Sequence, residues 1–433
     1  MNDIQPPTRQ PATHGPIVRA FLRWLSLFAA LRVRDFRLFW IGLTAQIIGQ
    51  QMFQVTVGWL AFELTGSPAA LALINLVGFL PRVTLTLVGG VFADRWSQRR
   101  LIAVAQALST SIILMVAALA IMEKIEVWHL AVSAFALGVS QSIDEPARTA
   151  FFPRLLPDRS HIPSAVPLIS LAWSSTRVFA PSIAGFVIAA WGADVSFLLS
   201  AGGAATMVAM LRLVRPHQVR GTAQGSMIKN LVEGIQYVRA DEVFSKVIFS
   251  AFVYATFTAG YVFMLPVFAD ELGKGAIGLG VLTSAAGVGA LIGLGTLSFV
   301  HGRFRPGEVI IIGMTTFALS LIGVAVSANF FLSVGLLGLT GMAHIYFQTS
   351  ANVILQSTVD EQYRGRVMSL YGLLWGLLLL SGTLLNFTSE FVGPRYALAG
   401  GATVVLVYIY GFLVRSTALR HFALPDAAEE IKT

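Results

Sequence analysis

Long uncharged apolar runs alternate with short polar turns along nearly the whole chain. Leu38–Phe62 runs 25 residues without Asp, Glu, Lys or Arg, Val247–Ala269 runs 23, Gly275–Val300 runs 26 and Val367–Ser389 runs 23. Val309–Val359 runs 51, long enough for two passes with a turn near Ser327-Ala328-Asn329. A helix crosses the hydrocarbon core of a bilayer with about 20 apolar residues, so each run predicts one or two membrane helices. The pattern predicts twelve spans, near 37–62, 69–92, 101–122, 127–147, 163–190, 194–213, 245–269, 275–300, 308–327, 330–352, 365–388 and 396–414. Pro and Gly punctuate the turns, as in Thr65-Gly66-Ser67-Pro68.

Composition agrees with a chain whose solvent is lipid. Of the 433 residues, 55% are hydrophobic and 12% charged, against about 25% charged in an ordinary soluble domain. Cysteine is absent, which excludes disulfides, thiolate metal sites and a cysteine nucleophile. Residues 1–16 are polar and Pro-rich, and 17–34 form a basic amphipathic stretch with Phe21, Trp24, Leu25 and Phe28 beside Arg19 and Arg23. This reads as an interfacial helix on a cytoplasmic tail rather than a signal peptide. A disordered tail is the alternative.

Charge then sets topology. Of 30 Lys and Arg, 25 fall on one side of the expected membrane: the N-terminal tail, the C-terminus and the turns after spans 2, 4, 6, 8 and 10. The exceptions are Arg82 and Arg177 within spans, and Lys124, Lys274 and Arg395 on the other side. A bias of this size puts both termini in the cytoplasm of a plasma (bacterial inner) membrane protein. The net charge of +8 is therefore a topology signal, with no basic patch left for a nucleic acid. The expected division is a tail over 1–34, a six-helix half over 35–213, a cytoplasmic linker over 214–243, a second six-helix half over 244–415 and a tail over 416–433. The linker contains an amphipathic stretch, Leu231, Ile235 and Val238 against Lys229, Glu233 and Arg239. The halves echo each other at an offset of 202, where Asp158, Leu168, Leu171 and Trp173 match Asp360, Leu370, Leu373 and Trp375. Two parallel repeats are common among secondary transporters.

Between spans 2 and 3 lies Gly89-Gly90-Val-Phe-Ala-Asp94-Arg95-Trp-Ser-Gln-Arg99-Arg100. It resembles the loop 2–3 signature of the major facilitator superfamily, G-x-L-a-D-r-x-G-r-k. Ser97 and Gln98 depart from it, and the equivalent turn His301–Gly307 has no acid before Glu308. Pro146-Ala-Arg-Thr-Ala-Phe-Phe-Pro-Arg-Leu-Leu-Pro157 and Gly365-Arg-Val-Met-Ser-Leu370 resemble the branch holding the enterobactin exporter and related drug and secretion effectors. The resemblance implies an all-α membrane fold of twelve helices in two six-helix repeats. It also implies a conformational latch at Gly90, Asp94, Arg95 and Arg99. A carboxylate at a helix end can face the positive N-terminus of a neighbouring helix in one arrangement and lose it in the other.

Several polar groups lie deep in the expected spans. Gln46, Gln50, Gln51 and Gln54 share one face of span 1, within an arc of about 140°. Unpaired amides facing lipid are costly, so they face a cavity or glue helices together. Arg82 and Arg177 each need a partner or water. Asp144 is the deepest carboxylate, at a depth near that of Arg82, and the expected buried pair is Arg82–Asp144. His344 shares span 10 with Tyr346, Gln348 and Asn352. It is a candidate proton carrier or a hydrogen-bonded structural residue. The expected substrate cavity takes Gln46, Gln50, Gln54, Arg177, Gln348 and Asn352, and the coupling or ion-pair set takes Arg82, Asp144 and His344. In span 5, Pro181 and Gly185 stand in partial likeness to an antiporter signature, with Ala180 where it has glycine.

No HExxH, no nucleotide loop of the form G-x-x-x-x-G-K-[ST] and no cofactor motif occurs, so neither an enzyme nor an ATP-driven pump is expected, and no cofactor or metal. The expected function is secondary active transport by alternating access: a proton-coupled exporter of a small polar or anionic molecule, siderophore-like or drug-like. Its partners are that solute, the proton gradient and membrane lipid, and it acts as a monomer. A facilitative carrier or channel-like protein without proton coupling is the competing reading.

Overall fold

The computed structural model describes residues 29–157, 161–215, 227–374 and 376–422. Among the described residues all regular structure is helical. A short 3-10 turn (Ala29–Arg32) leads into α1 (Arg34–Thr65), α2 (Pro68–Arg95), α3 (Gln98–Ile121), α4 (Val127–Phe151), α5 (Ile162–Trp191) and α6 (Ala193–Leu213). The linker helix α7 (Met227–Ala240) follows. Next come α8 (Glu242–Phe257), a 3-10 segment (Ala259–Met264) and α9 (Leu265–Glu271), then α10 (Gly275–Arg303), α11 (Pro306–Val326) and α12 (Phe330–Thr358). The chain continues through α13 (Glu361–Leu374), α14 (Leu377–Val392), α15 (Pro394–Tyr408), a wide turn (Ile409–Leu413) and α16 (Thr417–Arg420).

The turns show why helices stop where they do. Gly66 ends α1 in the left-handed conformation (φ 64°), which costs glycine little. Ser67 then caps α2, its side chain accepting from the Ala69 N–H, and Pro68 occupies the first helical position, where its missing N–H is no loss. Four residues close one helix and open the next in the opposite direction.

Nine described segments are long and apolar enough to cross a membrane, by length and composition. They include α3, α6, α10, α11, α12 and the combined stretches Glu242–Glu271 and Gly365–Val392. Helix α4 carries Asp144, Glu145 and Arg148 in its last turns, which lowers its apolar average. The outer surface is apolar, with Phe299 and Phe331 each 81% exposed. In water such a surface would aggregate; in a bilayer it is solvated.

Packing follows chain order. In the N-terminal set, α1 lies against α6 and α5, α2 against α4, and α3 against both α4 and α6. In the C-terminal set, α12 lies against α10 and α11, and α15 against α11 and α14. The largest apolar cluster draws on residues 238–419 together with Trp59 and Ile188, and three smaller ones lie mainly before residue 215. The two sets meet along α5–α10 and α2–α14. Gly185 and Gly280 make the first crossing close: a Cβ on Gly185 would strike Gly280 Cα.

The antiparallel order gives the bundle two ends. One carries the turns at 65–68, 121–127, 271–275 and 392–394; the other carries those at 95–98, 303–306 and 358–361, with α7 and α16. Contacts at each end agree with this: Arg395 Nε donates to Glu271 at the first (3.2 Å), and the Arg99 guanidinium meets the carbonyls of Leu211 and Arg212 at the second.

A polar cavity backed by a buried ion pair

The cavity forms where polar faces of the N-terminal set converge. Its empty space, with the adjoining open solvent included, is about 940 Å³. Helix α1 contributes Gln46, Gln50 and Gln54; α2 contributes Asn75, Gly78 and Arg82; α3 contributes Gln106 and Ser109; α4 contributes Gly138 and Gln141; and α6 contributes Ser200. Helical spacing on α1 accounts for its share, since residues four apart sit one above the other. Gly78 and Gly138 let α2 and α4 approach, because a Cβ on Gly138 would meet the carbonyl of Gly78 at 2.5 Å. The C-terminal set reaches the cavity with Phe263 and Leu379. Both sit at helix interruptions. The 3-10 segment of 259–264 packs on α14, with the Gly260 N–H donating to Ser381 Oγ (3.0 Å) and Asn386 Nδ2 to the Phe263 carbonyl (3.3 Å). Irregular backbone at membrane depth is tolerated where protein or a cavity satisfies it.

Behind the polar wall lies an ion pair. Asp144 is fully buried, and its Oδ2 stands 2.6 Å from Arg148 Nε one helical turn on. Gln46 Nε2 donates to the same oxygen (3.1 Å), and the Gln106 side chain also bonds Asp144. The Arg148 guanidinium, itself buried, lies over the Trp173 ring of α5 at 5.8 Å. The carboxyl is thus held by α1, α3 and α4 at once. Asp144 Oδ1, Gln46 Oε1 and Gln106 Oε1 are buried without a hydrogen-bond partner, and Arg148 Nε meets Asp144 as an ion pair rather than in hydrogen-bond geometry.

This arrangement corrects the expected pairing of Arg82 with Asp144. Arg82 instead reaches the neighbouring Glu145, 3.6 Å away and more than half exposed. Asp144 and Glu145 are 100° apart on the helix, so one is buried while the other, more than half exposed, meets Arg82. Arg148 was assigned to the turn after span 4, but α4 continues through Pro146 to residue 151 and takes it inside. Its spacing of four from Asp144 was the available signal.

Other expected site residues divide. Gln46, Gln50 and Gln54 line the cavity, and Gln50 also donates to Gln141 (3.2 Å), so the stripe both lines and joins. Gln348 and Asn352 stand on α12 outside its wall; Asn352 Nδ2 turns back to the Gln348 carbonyl (2.9 Å). The expected cavity included them, whereas the described walls come mainly from α1–α4 and α6. His344 Nδ1 lies 2.7 Å from Tyr254 Oη of α8, whose ring packs on Phe317 and Phe347, and His344 is not among the residues lining the cavity. Arg99, expected in the latch, donates to the carbonyls of Leu211 (2.9 Å) and Arg212 (3.1 Å), capping α6 within the same helix set. The orphan carbonyls of that helix end need donors, and a guanidinium supplies two. Arg95 is exposed, and a Cβ on Gly90 would meet nothing within 4 Å. The side chains of Asp94 and Arg177 lie outside the described residues.

Comparison with known proteins agrees with this architecture. A family model described as transmembrane secretion effector matches residues 25–430. Macrolide efflux protein A of Streptococcus pyogenes is 22% identical over 86% of this chain and 93% of its own length. The staphyloferrin A transporter of Staphylococcus aureus is 21% identical over 86% of this chain and 94% of its own. Among solved structures, the nucleoside transporter NupG superposes with a TM-score of 0.65 at 14% identity, covering 90% of this chain and 100% of its own. A bacterial homolog of the lysosomal transporter Spinster gives 0.69 at 11% identity, covering 90% and 98%. With the family match running almost end to end over a helical bundle built around a polar cavity, the chain belongs to the transmembrane secretion effectors of the major facilitator superfamily: a multi-pass membrane transporter, not an enzyme.

Proposed function

We propose that the protein exports a small polar or anionic molecule by alternating access, driven by protons moving the other way. The observation that carries this reading is the wall of the cavity. Its described charged group is a cation, Arg82, set among the amides of Gln46, Gln50, Gln54, Asn75, Gln106 and Gln141. Amides can donate to and accept from a neutral polar solute, and a guanidinium can hold an anion with two parallel hydrogen bonds. Glu145, which shares the charge of Arg82 at 3.6 Å, stands outside the described lining, so a lipophilic cation would meet no carboxylate on the lining itself. Export, rather than uptake, is supported by the names of similar proteins, which include macrolide efflux protein A and the multidrug efflux pump Tap of Mycolicibacterium fortuitum.

Proton coupling is assigned to Asp144. It is buried, it touches the cavity through Gln46 and Gln106, and it can trade Arg148 for a proton. When protonated, it becomes a donor facing orphan acceptor oxygens, and Arg148 retains the face of Trp173. His344 is the competing carrier, and its place against Tyr254 favours a structural part. The positive-inside bias supports a cytoplasmic 95–98 end in a bacterial inner-membrane protein, and the protein is read as a monomer.

Transport in proteoliposomes tests this. An imposed pH gradient should drive a labelled solute against the proton flow, with macrolides, staphyloferrin A and a lipophilic cation as the panel. Asp144→Asn should retain solute binding and lose the response to the gradient, while His344→Gln should keep it. Arg82→Gln should raise KM for an anionic solute at least tenfold, since a charge-assisted bidentate contact is worth about 1.5–3 kcal/mol. Wild-type transport indifferent to the gradient, or a fully coupled Asp144→Asn variant, would overturn the coupling assignment. Preference for the lipophilic cation would overturn the substrate class.

A further inference from the structure

Glu390 sits in the last turn of α14, next to the C-terminal carbonyls of its own helix. A carboxylate is disfavoured there, because the end of a helix carries partial negative charge. The compensation comes from the other helix set. Glu390 Oε2 accepts from Ser67 Oγ (3.0 Å) and from the Ala69 backbone N–H (3.2 Å) at the start of α2. It thereby joins Ser67 in capping the positive end of α2, 321 residues away in sequence.

This contact lies where closure of one end matters. The cavity extends to Ala61 and Leu71, only a few residues inside the 65–68 turn. At 1.5 Å per residue, about 6 Å of helix separates Ala61 from that turn. At the same end lie the Gly185–Gly280 crossing of α5 and α10 and Trp59, which packs into the apolar cluster of the C-terminal set. These apolar contacts are non-directional, whereas the Glu390 contact joins one charge to one helix end. It cannot survive separation of α2 from α14 at this end.

We propose that Glu390 is a positioning residue for transport: a latch that holds the 65–68 end of the bundle shut by capping α2 across the two helix sets. Its logic mirrors the one expected of Asp94. Both are carboxylates in the last turn of a helix, and α2 and α14 run antiparallel, so the two groups sit at opposite ends of one helix pair. Glu390 does not touch the solute. It sets how often the cavity opens toward its own end. The proposal rests on the alternating-access reading, but its test measures opening rather than transport.

The absence of native cysteine makes the test direct. Gly58 lines the cavity, and a Cβ there meets nothing within 4 Å, so Gly58→Cys reports access to the cavity without distorting it. Membrane vesicles of both orientations are treated with a charged, membrane-impermeant methanethiosulfonate, and the initial modification rate is measured. The exposed Lys124, as Lys124→Cys, identifies which face the 65–68 end meets. From that face, Glu390→Ala should raise the Gly58→Cys rate about two- to fivefold, the size expected for an exposed carboxylate at a helix N-terminus. Glu390→Gln keeps an acceptor oxygen without the charge and should give a smaller rise. Glu63→Ala, which removes an exposed carboxylate at the end of α1, should leave the rate unchanged. An unaltered rate in Glu390→Ala, or an equal rise in Glu63→Ala, overturns the latch. Should Glu390→Ala fail to fold, an unaltered rate in Glu390→Gln overturns it instead. If the parent and every variant were unreachable from that face, alternating access itself would fail, and the latch with it.

Discussion

Asp144 is the residue on which the account turns, because a fully buried carboxylate must be held by something. It is held by Arg148, Gln46 and Gln106. Removing one member of a buried ion pair leaves the other charge uncompensated and costs about 3–5 kcal/mol, whereas removing both costs less. Arg148→Ala alone should therefore lower the thermal midpoint sharply in detergent, and Arg148→Ala with Asp144→Ala should recover much of the loss. A double mutant no better than the sum of the singles would show the two residues to be uncoupled. Arg82→Ala should behave differently. Its contact with Glu145 is long and partly exposed, so its removal should cost stability less than about 1 kcal/mol while impairing transport. At this scale the sequence was informative about which polar groups lie deep among the helices and less so about which of them touch. The glutamine stripe followed from helical spacing, and Asp144 stood out as the deepest carboxylate in an expected span. Its partner was hidden because the expected span stopped at 147, whereas α4 runs on to Phe151 and draws Arg148 inward.

Between elements, glycine separates fixed contacts from contacts that must part. Gly289 packs against the Gly338 carbonyl within the C-terminal set, and Gly185 packs against Gly280 across the two sets. Overpacking a tight site costs about 1–3 kcal/mol. Gly289→Ala should thus lower folded yield, measured by monodisperse recovery from membranes. Gly185→Ala should leave yield near normal but weaken closure at the 65–68 end, raising access to Gly58→Cys from that face. Equal loss of yield in both would contradict a movable α5–α10 seam. The linker is anchored to one set. Tyr237 of α7 stacks on Tyr363 at 4.4 Å, Glu233 meets Arg366 at 2.7 Å, and the Asp360 N–H donates to the Tyr237 hydroxyl (3.2 Å). Burial together with the nearby Asp360 and Asp241 charges pushes the Tyr237 phenol up from its ordinary value, so it remains a neutral hydrogen-bonding group at physiological pH. Arg366→Ala should free α7 and speed proteolysis between residues 227 and 240, with helix packing elsewhere unchanged. The amphipathic linker stretch was evident from its periodicity. Its docking site was not, because the residues that receive it lie more than a hundred positions away.

At the scale of the whole molecule, two helix sets meet along α5–α10 and α2–α14 and enclose a polar cavity drawn mainly from the first. Apolar run lengths foretold where the helices lie, since the bilayer fixes how long a run must be. They could not foretell that the cavity belongs mostly to one set, because that depends on how five helix faces rotate toward each other. The central claim is that the two sets alternate between exposing one end and the other, and that protonation of Asp144 shifts the balance. Distances between spin labels test it without knowledge of the solute. One pair, Lys124→Cys with Ala328→Cys, spans the 65–68 end, and a second, Arg100→Cys with Arg303→Cys, spans the 95–98 end; all four positions are exposed. On acidification the two distances should change in opposite senses, and Asp144→Asn should abolish that pH response. Distances that stay fixed, that change in the same sense, or that respond fully in Asp144→Asn would contradict the account.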